Sequence, residues 1–223
     1  MQLRDRRGCV LAGMYWYVSR QKVDALLPEF GPRGFNLFKE LSLTLKLPFV
    51  EGKLSVNPDR SLFLNVEKIE NGIKSFGAAS DLAEAGSKPF FSFSGRAYRT
   101  VESGAYFIVL AQGRVALLLA GSPSNAVGAP PKQSDNVSPS VDPIGAVTRL
   151  FKHPSDPKDA FDACSYMWVE MARAAREDGV VLPDVEGIAV FGAAFPAVID
   201  RFSHDFPGID RVVVGTPIFV RQL

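Results

Sequence analysis

Two short segments place a hydroxyl between glycine and proline directly after an apolar run. They are Gly121-Ser122-Pro123 after the run from Arg114 to Ala120, and Gly215-Thr216-Pro217 after the run from Arg211 to Val214. Runs rich in Val and Leu and bounded by Gly read as strands buried on both faces, near the centre of a sheet. In open sheets, ligands gather at the carboxyl ends of strands where the chain turns away, so Ser122, Asn125 and Thr216 become candidate ligand contacts if those two ends lie together. Gly and Pro are also the residues with which strands ordinarily stop, and that reading needs no ligand. Gly187 to Pro196 is a looser third copy without the hydroxyl.

Two further groups could supply charge or hydrogen bonds. Ser19, Gln21 and Lys22 sit at a strand-to-helix junction, where a hydroxyl, an amide and an ammonium could face a ligand. Ser19 is fully accounted for as a helix N-cap, a role worth about 1 kcal/mol. Arg96 and Arg99 lie in a strand-like segment otherwise short of charge, where a guanidinium fork could hold a phosphate or carboxylate, or could simply pair at a sheet rim.

The established catalytic patterns are missing. The two histidines, His153 and His204, stand beside Pro154 and Asp205 in loop-like settings, and there is no Gly-x-Ser-x-Gly, phosphate-binding glycine loop or His-Glu-x-x-His. Cys9 and Cys164 are far apart in no paired spacing, which predicts neither a disulfide framework nor a zinc site and fits a reduced, cytoplasmic setting. No metal site and no particular cofactor follow. A net charge of +1 gives no field for steering toward nucleic acid or an anionic membrane. Arg4, Arg6 and Arg7 form a short terminal cluster that reads as a solvated end. The apolar stretch from Cys9 is broken by aromatics and Ser19 without a cleavage region, and no run approaches the roughly 18 residues of a membrane span, so the protein reads as soluble.

The elements that must position these residues follow from periodicity. Gly13 to Ser19 reads as an aromatic first strand, with Val23, Leu26, Leu27 and Phe30 following at helical spacing. Glu40 to Leu47 alternates as a strand with one wet face, and Asn57-Pro58 opens a helix whose stripe is Leu62, Val66, Ile69, Ile73 and Phe76, closed by Gly77. Pro89 to Val101 alternates, with a bulge or close approach at Gly95. Ala105 to Ala111 and Arg114 to Ala120 form a hairpin about Gln112-Gly113. Ser122 to Pro143 is a loop long enough to be either a lid or disordered. Ile144 to Phe151 and Asp156 to Asp178 are helical, the second burying Phe161, Cys164, Trp168, Met171 and Ala175. Val180 to Val190 is a strand, Phe195 to Phe202 a short helix, and Val212 to Phe219 the last strand. The sum is a single α+β domain over residues 1–223, with a mixed, largely antiparallel central sheet and three or four packed helices.

Tyr15-Trp16-Tyr17-Val18-Ser19 with Lys22-Val23 and Leu26-Leu27, then LLLAGSPSNAVG and finally VVVGTPIFV, resemble an uncharacterised bacterial, largely actinobacterial, family carried as a domain of unknown function. Members of that family have a larger polar residue in the turn where this chain has Ser124-Asn125. The resemblance implies a bacterial cytosolic domain, in signalling or defence loci, and no reaction. The opening strand, Ser19 and the following helix also look like the start of some ADP-ribosyltransferase domains, which use a glutamate on a late strand; Glu186 reads as preceding its strand.

Two functions follow as expectations. One is a non-enzymatic sensor or interaction module that takes a small anionic ligand or a protein partner through Ser19, Lys22, Ser122, Asn125 and Thr216, with Arg96 or Arg99 as counter-charge. The other is a nucleotide-using transferase or hydrolase working through Tyr17, Ser19 and a carboxylate such as Glu102 or Asp205.

Overall fold

A computed structural model describes residues 15–30, 60–127, 143–150, 157–177, 179, 181–198, 202 and 204–223. Among these, the strands are β1 (Tyr15–Val18), β2 (Phe90–Glu102), β3 (Ala105–Gln112), β4 (Val115–Gly121), β5 (Asp184–Pro196) and β6 (Arg211–Gln222). The α-helices are α1 (Arg20–Leu26), α2 (Arg60–Phe76), α3 (Pro143–Leu150) and α4 (Pro157–Glu177). The sheet follows β1-β6-β4-β3-β2-β5, and β5 also pairs with β6. Only β4 with β6 is parallel; every other ladder is antiparallel. The fold is therefore α+β and mixed, largely antiparallel, as expected, but the sheet closes into a barrel where an open sheet was expected. Closure satisfies edges that an open sheet would leave exposed.

A closed sheet with helices outside explains why β3 and β4 are nearly continuous apolar runs. One face of each lines the lumen and the other meets helices, so both are buried. Tyr106, Ile108, Leu110, Leu117, Leu119, Phe91, Phe93 and Val213 fill the lumen, which a 3-10 turn at Leu82–Glu84 closes with the fully buried Leu82. Phe107, Val109, Leu118, Val212 and Val214 point the other way, into Val147 of α3 and Cys164, Trp168 and Met171 of α4. On another outer face, Tyr15, Ile188 and Phe219 meet Val23 and Leu26 of α1 and Leu62, Val66, Ile69 and Ile73 of α2. Cys164 is a buried thiol, in no disulfide, and packs in the helix-covered layer as a small side chain.

β2 serves two partners and β6 three, and this is what lets few strands close. β2 pairs with β5 from Phe90 to Arg96 and with β3 from Ala97 to Glu102, the exchange falling between Arg96 and Ala97, just past Gly95. β6 pairs with β5 along its length and exchanges β4 for β1 on its other edge. Gly187 sits where β5 and β6 coil tightly: a Cβ there would lie 2.4 Å from the Phe219 carbonyl oxygen and 2.6 Å from the Phe93 ring. The first obstacle is backbone and cannot rotate away. Gly187→Ala is expected to cost about 3 kcal/mol, at the upper end of overpacking penalties, read as a lowered denaturation midpoint.

Several expectations are corrected by this topology. Gly215-Thr216-Pro217 is no turn, since β6 runs through it to Gln222. Phe195 and Pro196 end β5 and do not open a helix. Phe76 lies off the buried stripe of α2, at 38% exposure. The β3–β4 turn is centred on Gly113 and Arg114, because Gln112 already pairs with Val115. The expected strand from Glu40 to Leu47, the helix openings at Asn57-Pro58 and Asp156, and His153 fall outside the described residues.

A hairpin that the sequence did not announce joins β2 to β3 through Ser103-Gly104, both at positive φ, 46° and 75°. That is the two-residue turn in which Asn-Gly is favoured and a β-hydroxyl residue is strained. Ser103→Asn is accordingly expected to stabilise the fold by about 0.5–1 kcal/mol, measured as a higher midpoint without a change in slope.

Candidate functional site

Because β5 occupies one edge of β6 throughout, β4 and β1 must share the other. β4 runs beside β6 from the Val115–Arg211 pair to the Leu119–Gly215 pair, and β1 runs toward it from Tyr15–Arg221 to Val18–Phe219. The carboxyl ends of β1 and β4 therefore meet head-on at Thr216–Pro217. Proline has no N–H, so at Pro217 itself this break in the ladder leaves no donor to pair. The two carbonyls at the break are taken by the chain leaving β1. The Lys22 ammonium donates to the Pro217 oxygen at 3.0 Å, and the Ser19 N–H donates to the Ile218 oxygen at 2.8 Å.

Tyr17 lies at the centre of the junction. Trp16 is the extra residue of a β-bulge between Tyr15 and Tyr17, and both Trp16 and Tyr17 turn into the lumen cluster. The Tyr17 hydroxyl accepts from the Asn125 amide at 3.1 Å, with the Ser122 backbone and the Ser19 side chain also within its hydrogen-bond reach. Burial pushes its pKa up to about 12, against the opposing pull of those hydrogen bonds. Gly121 makes room for the ring, since a Cβ there would stand 2.3 Å from the Tyr17 oxygen.

The turn after β4 is compact. Ser122 caps a 3-10 turn at Pro123–Asn125, its hydroxyl accepting from the Ser124 N–H at 3.3 Å and sharing a 2.7 Å hydrogen bond with the Ser124 hydroxyl. Ala126 bridges to Tyr17, and the Val127 N–H donates to the Trp16 carbonyl at 2.9 Å. The start of the expected Ser122–Pro143 loop is thus fixed structure, whereas 128–142 fall outside the described residues. Ser19 occupies the N-cap position of α1 in an extended conformation, but its hydroxyl makes no cap bond. The N-cap account of that hydroxyl is corrected: it is turned to Tyr17, within the junction.

Lys22 is the unusual charge. It is part-buried on the first turn of α1, and desolvation holds its pKa down at about 8. Its partner is a neutral carbonyl, and no carboxylate pairs with it among the described residues.

Ser19, Lys22, Ser122, Asn125 and Thr216 thus converge on one break in the sheet. The arginines do not join them. Arg96 is exposed on β2, in register with Asp184. Arg99 lies over the Trp16 ring, 4.4 Å from its centroid, and donates to the Tyr106 hydroxyl at 3.4 Å; Tyr106 in turn stacks on Tyr17 at 5.7 Å.

Glu102 is exposed at the end of β2, and Asp205 accepts from Arg173 at 2.5 Å. Glu186 lies inside β5, opposite Arg221, which corrects its expected position before the strand. It accepts from the Arg221 Nε at 2.7 Å, while the rest of that guanidinium grips Glu70 of α2 at 2.8 and 3.0 Å. Glu186 is therefore spent on a link between barrel and helix. Sequence reading missed this link because Glu70 and Arg221 are far apart in the chain and each looks like ordinary solvated charge.

Among the described residues, no group of three or more His, Cys, Asp or Glu side chains could hold a metal ion, and no helix is long and apolar enough to cross a membrane. The architecture is a closed α+β barrel with a polar junction where two strands meet on a third. The chain belongs to a family of unknown function, DUF7019, whose model matches residues 14–223. No curated protein and no solved structure matched the chain.

Proposed function

We propose that the protein is a non-enzymatic binding module that takes a small anionic ligand at the junction of β1, β4 and β6, as a sensor in a bacterial cytosolic signalling or defence setting. The observation that carries this reading is Lys22. A part-buried, desolvated ammonium with only a carbonyl partner is costly, and an anion beside it would return the stabilisation that desolvation removes. Ser19, Ser122, Asn125 and Thr216, at the same break in the sheet, would offer a ligand there neutral hydrogen-bonding groups, the usual complement of a small-ligand site. A transferase would need an acid or base within reach of the reacting atom. Asp205 is committed to Arg173, Glu186 to Arg221, and Glu102 is exposed at the end of β2, so we favour binding.

A thermal-shift screen against nucleotides, cyclic nucleotides and dinucleotide cofactors, with sulfate as control, tests this. A ligand at about 100 times its dissociation constant should add roughly 2.7 kcal/mol, a shift of a few degrees for a chain of this size. That shift is expected to vanish in Lys22→Ala and to shrink in Ser122→Ala. A ligand whose effect both variants preserve would place binding elsewhere.

A further inference from the structure

We infer that Arg99, Trp16 and Tyr106 form a second, separate receptor for an oxyanion, a carboxylate or phosphate group, at the mouth of the barrel lumen. The inference does not depend on Lys22. Along β2, Ala97, Arg99 and Val101 share the face that lines the lumen, and Ala97 and Val101 belong to the lumen cluster. Arg99, near the end of that strand, is exposed and so stands at the rim.

The three side chains at this rim all bring hydrogen-bond donors. The Arg99 guanidinium lies over the Trp16 ring and spends one N–H on the Tyr106 hydroxyl, leaving the rest of its fork with no carboxylate among the described residues. Arg114, Arg173 and Arg221, by contrast, each pair with Asp or Glu. The Trp16 indole nitrogen is buried and has no hydrogen-bond partner, in a residue only 3% exposed. Buried donors are almost always satisfied, and indole can only donate. Trp168 shows the ordinary case, its indole N–H donating to the Leu110 carbonyl at 3.1 Å.

An orphaned indole N–H, on a ring covered by a guanidinium that has no carboxylate among the described residues, is a donor set that an acceptor completes. A planar or tetrahedral oxyanion beside the stack can accept from the free edge of the fork and from the indole together. Tyr106 stacks on Tyr17, so this rim adjoins the Lys22 junction, and a variant at Lys22 is needed to tell the two apart.

The two tryptophans make the test direct. In the full chain the indole N–H resonances are followed by NMR while inorganic phosphate or acetate is added, with Trp16→Phe assigning the peaks. The expected result is a saturable movement of the Trp16 indole alone, with Trp168 still and reporting an intact core. Arg99→Gln should weaken the apparent affinity by roughly tenfold or more, the effect of losing one charge-assisted hydrogen bond. Lys22→Met should leave the titration unchanged, which separates this site from the junction. A response to phosphate alone, or to acetate alone, assigns the anion class and supports the site. No saturable movement with either anion, movement undiminished in Arg99→Gln, or movement abolished by Lys22→Met would each overturn it.

Discussion

Arg221→Met is expected to cost about 3 kcal/mol of folding stability, the low end of what removing one partner from a buried ion pair costs. The guanidinium ties three elements together: Glu70 on α2 by two hydrogen bonds, Glu186 on β5 by a third, and its own strand β6. Glu70 has a side chain only 10% exposed, so deleting the arginine strands a buried carboxylate. Lys74 also binds Glu70, at 2.6 Å, but is 54% exposed and would hold it weakly. Lys74→Met is therefore expected to cost no more than about 0.5 kcal/mol, an ordinary exposed helix pair. Urea denaturation of the two variants checks the contrast, and equal losses would show that the Arg221 link is not what holds α2 to the barrel.

The second large effect has the opposite sign. Lys22→Met is expected to stabilise the unliganded protein at neutral pH. Burial lowers the Lys22 pKa from its ordinary 10.5 to about 8, a penalty on the order of 3 kcal/mol while the amine is charged. The lost hydrogen bond to the Pro217 carbonyl offsets about 1 kcal/mol of the gain, leaving about 1–2 kcal/mol.

The pH dependence gives the sign independently. Below pH 8 both states carry the proton and the penalty is complete. Between 8 and 10.5 the unfolded state binds more protons than the native one, so wild-type stability from this group rises with pH. The advantage of Lys22→Met should be full at pH 7 and should shrink and disappear toward pH 10.5. A variant less stable than wild type at pH 7 would mean that the lysine is favourably placed without an anion.

Much of the architecture was legible where one local pattern determined it. The stripe of Cys164, Trp168, Met171 and Ala175 needs only helical spacing, and the β3–β4 hairpin needs two apolar runs with a glycine between them. Leu62, Val66, Ile69 and Ile73 are read the same way. Closure of the barrel was not legible, because it rests on β5 meeting both β2 and β6, pairings with no local signature. The same cause explains Gly215-Thr216-Pro217. Proline normally ends a central strand, but β6 changes partners there, and the N–H that proline lacks is not wanted.

The candidate site divides likewise. Ser122 and Asn125 follow a strand that really ends, and Ser19 and Lys22 follow another, so small polar residues after apolar runs pointed to them. That the two ends face each other across Pro217 depends on β4 being parallel and β1 antiparallel to β6. Tyr17 as the shared hydroxyl, and Trp16 beside Arg99, come from the bulge in β1, which turns two successive aromatics to one side.

The most direct test of the junction is the pKa of Lys22 itself, followed by NMR of its side chain adjacent to the amine, with and without inorganic phosphate or a ligand found by the thermal screen. An anion-binding junction predicts about 8 in the free protein and a rise toward the ordinary 10.5 on binding. A value already near 10.5, unmoved by any anion that stabilises the protein, would contradict it.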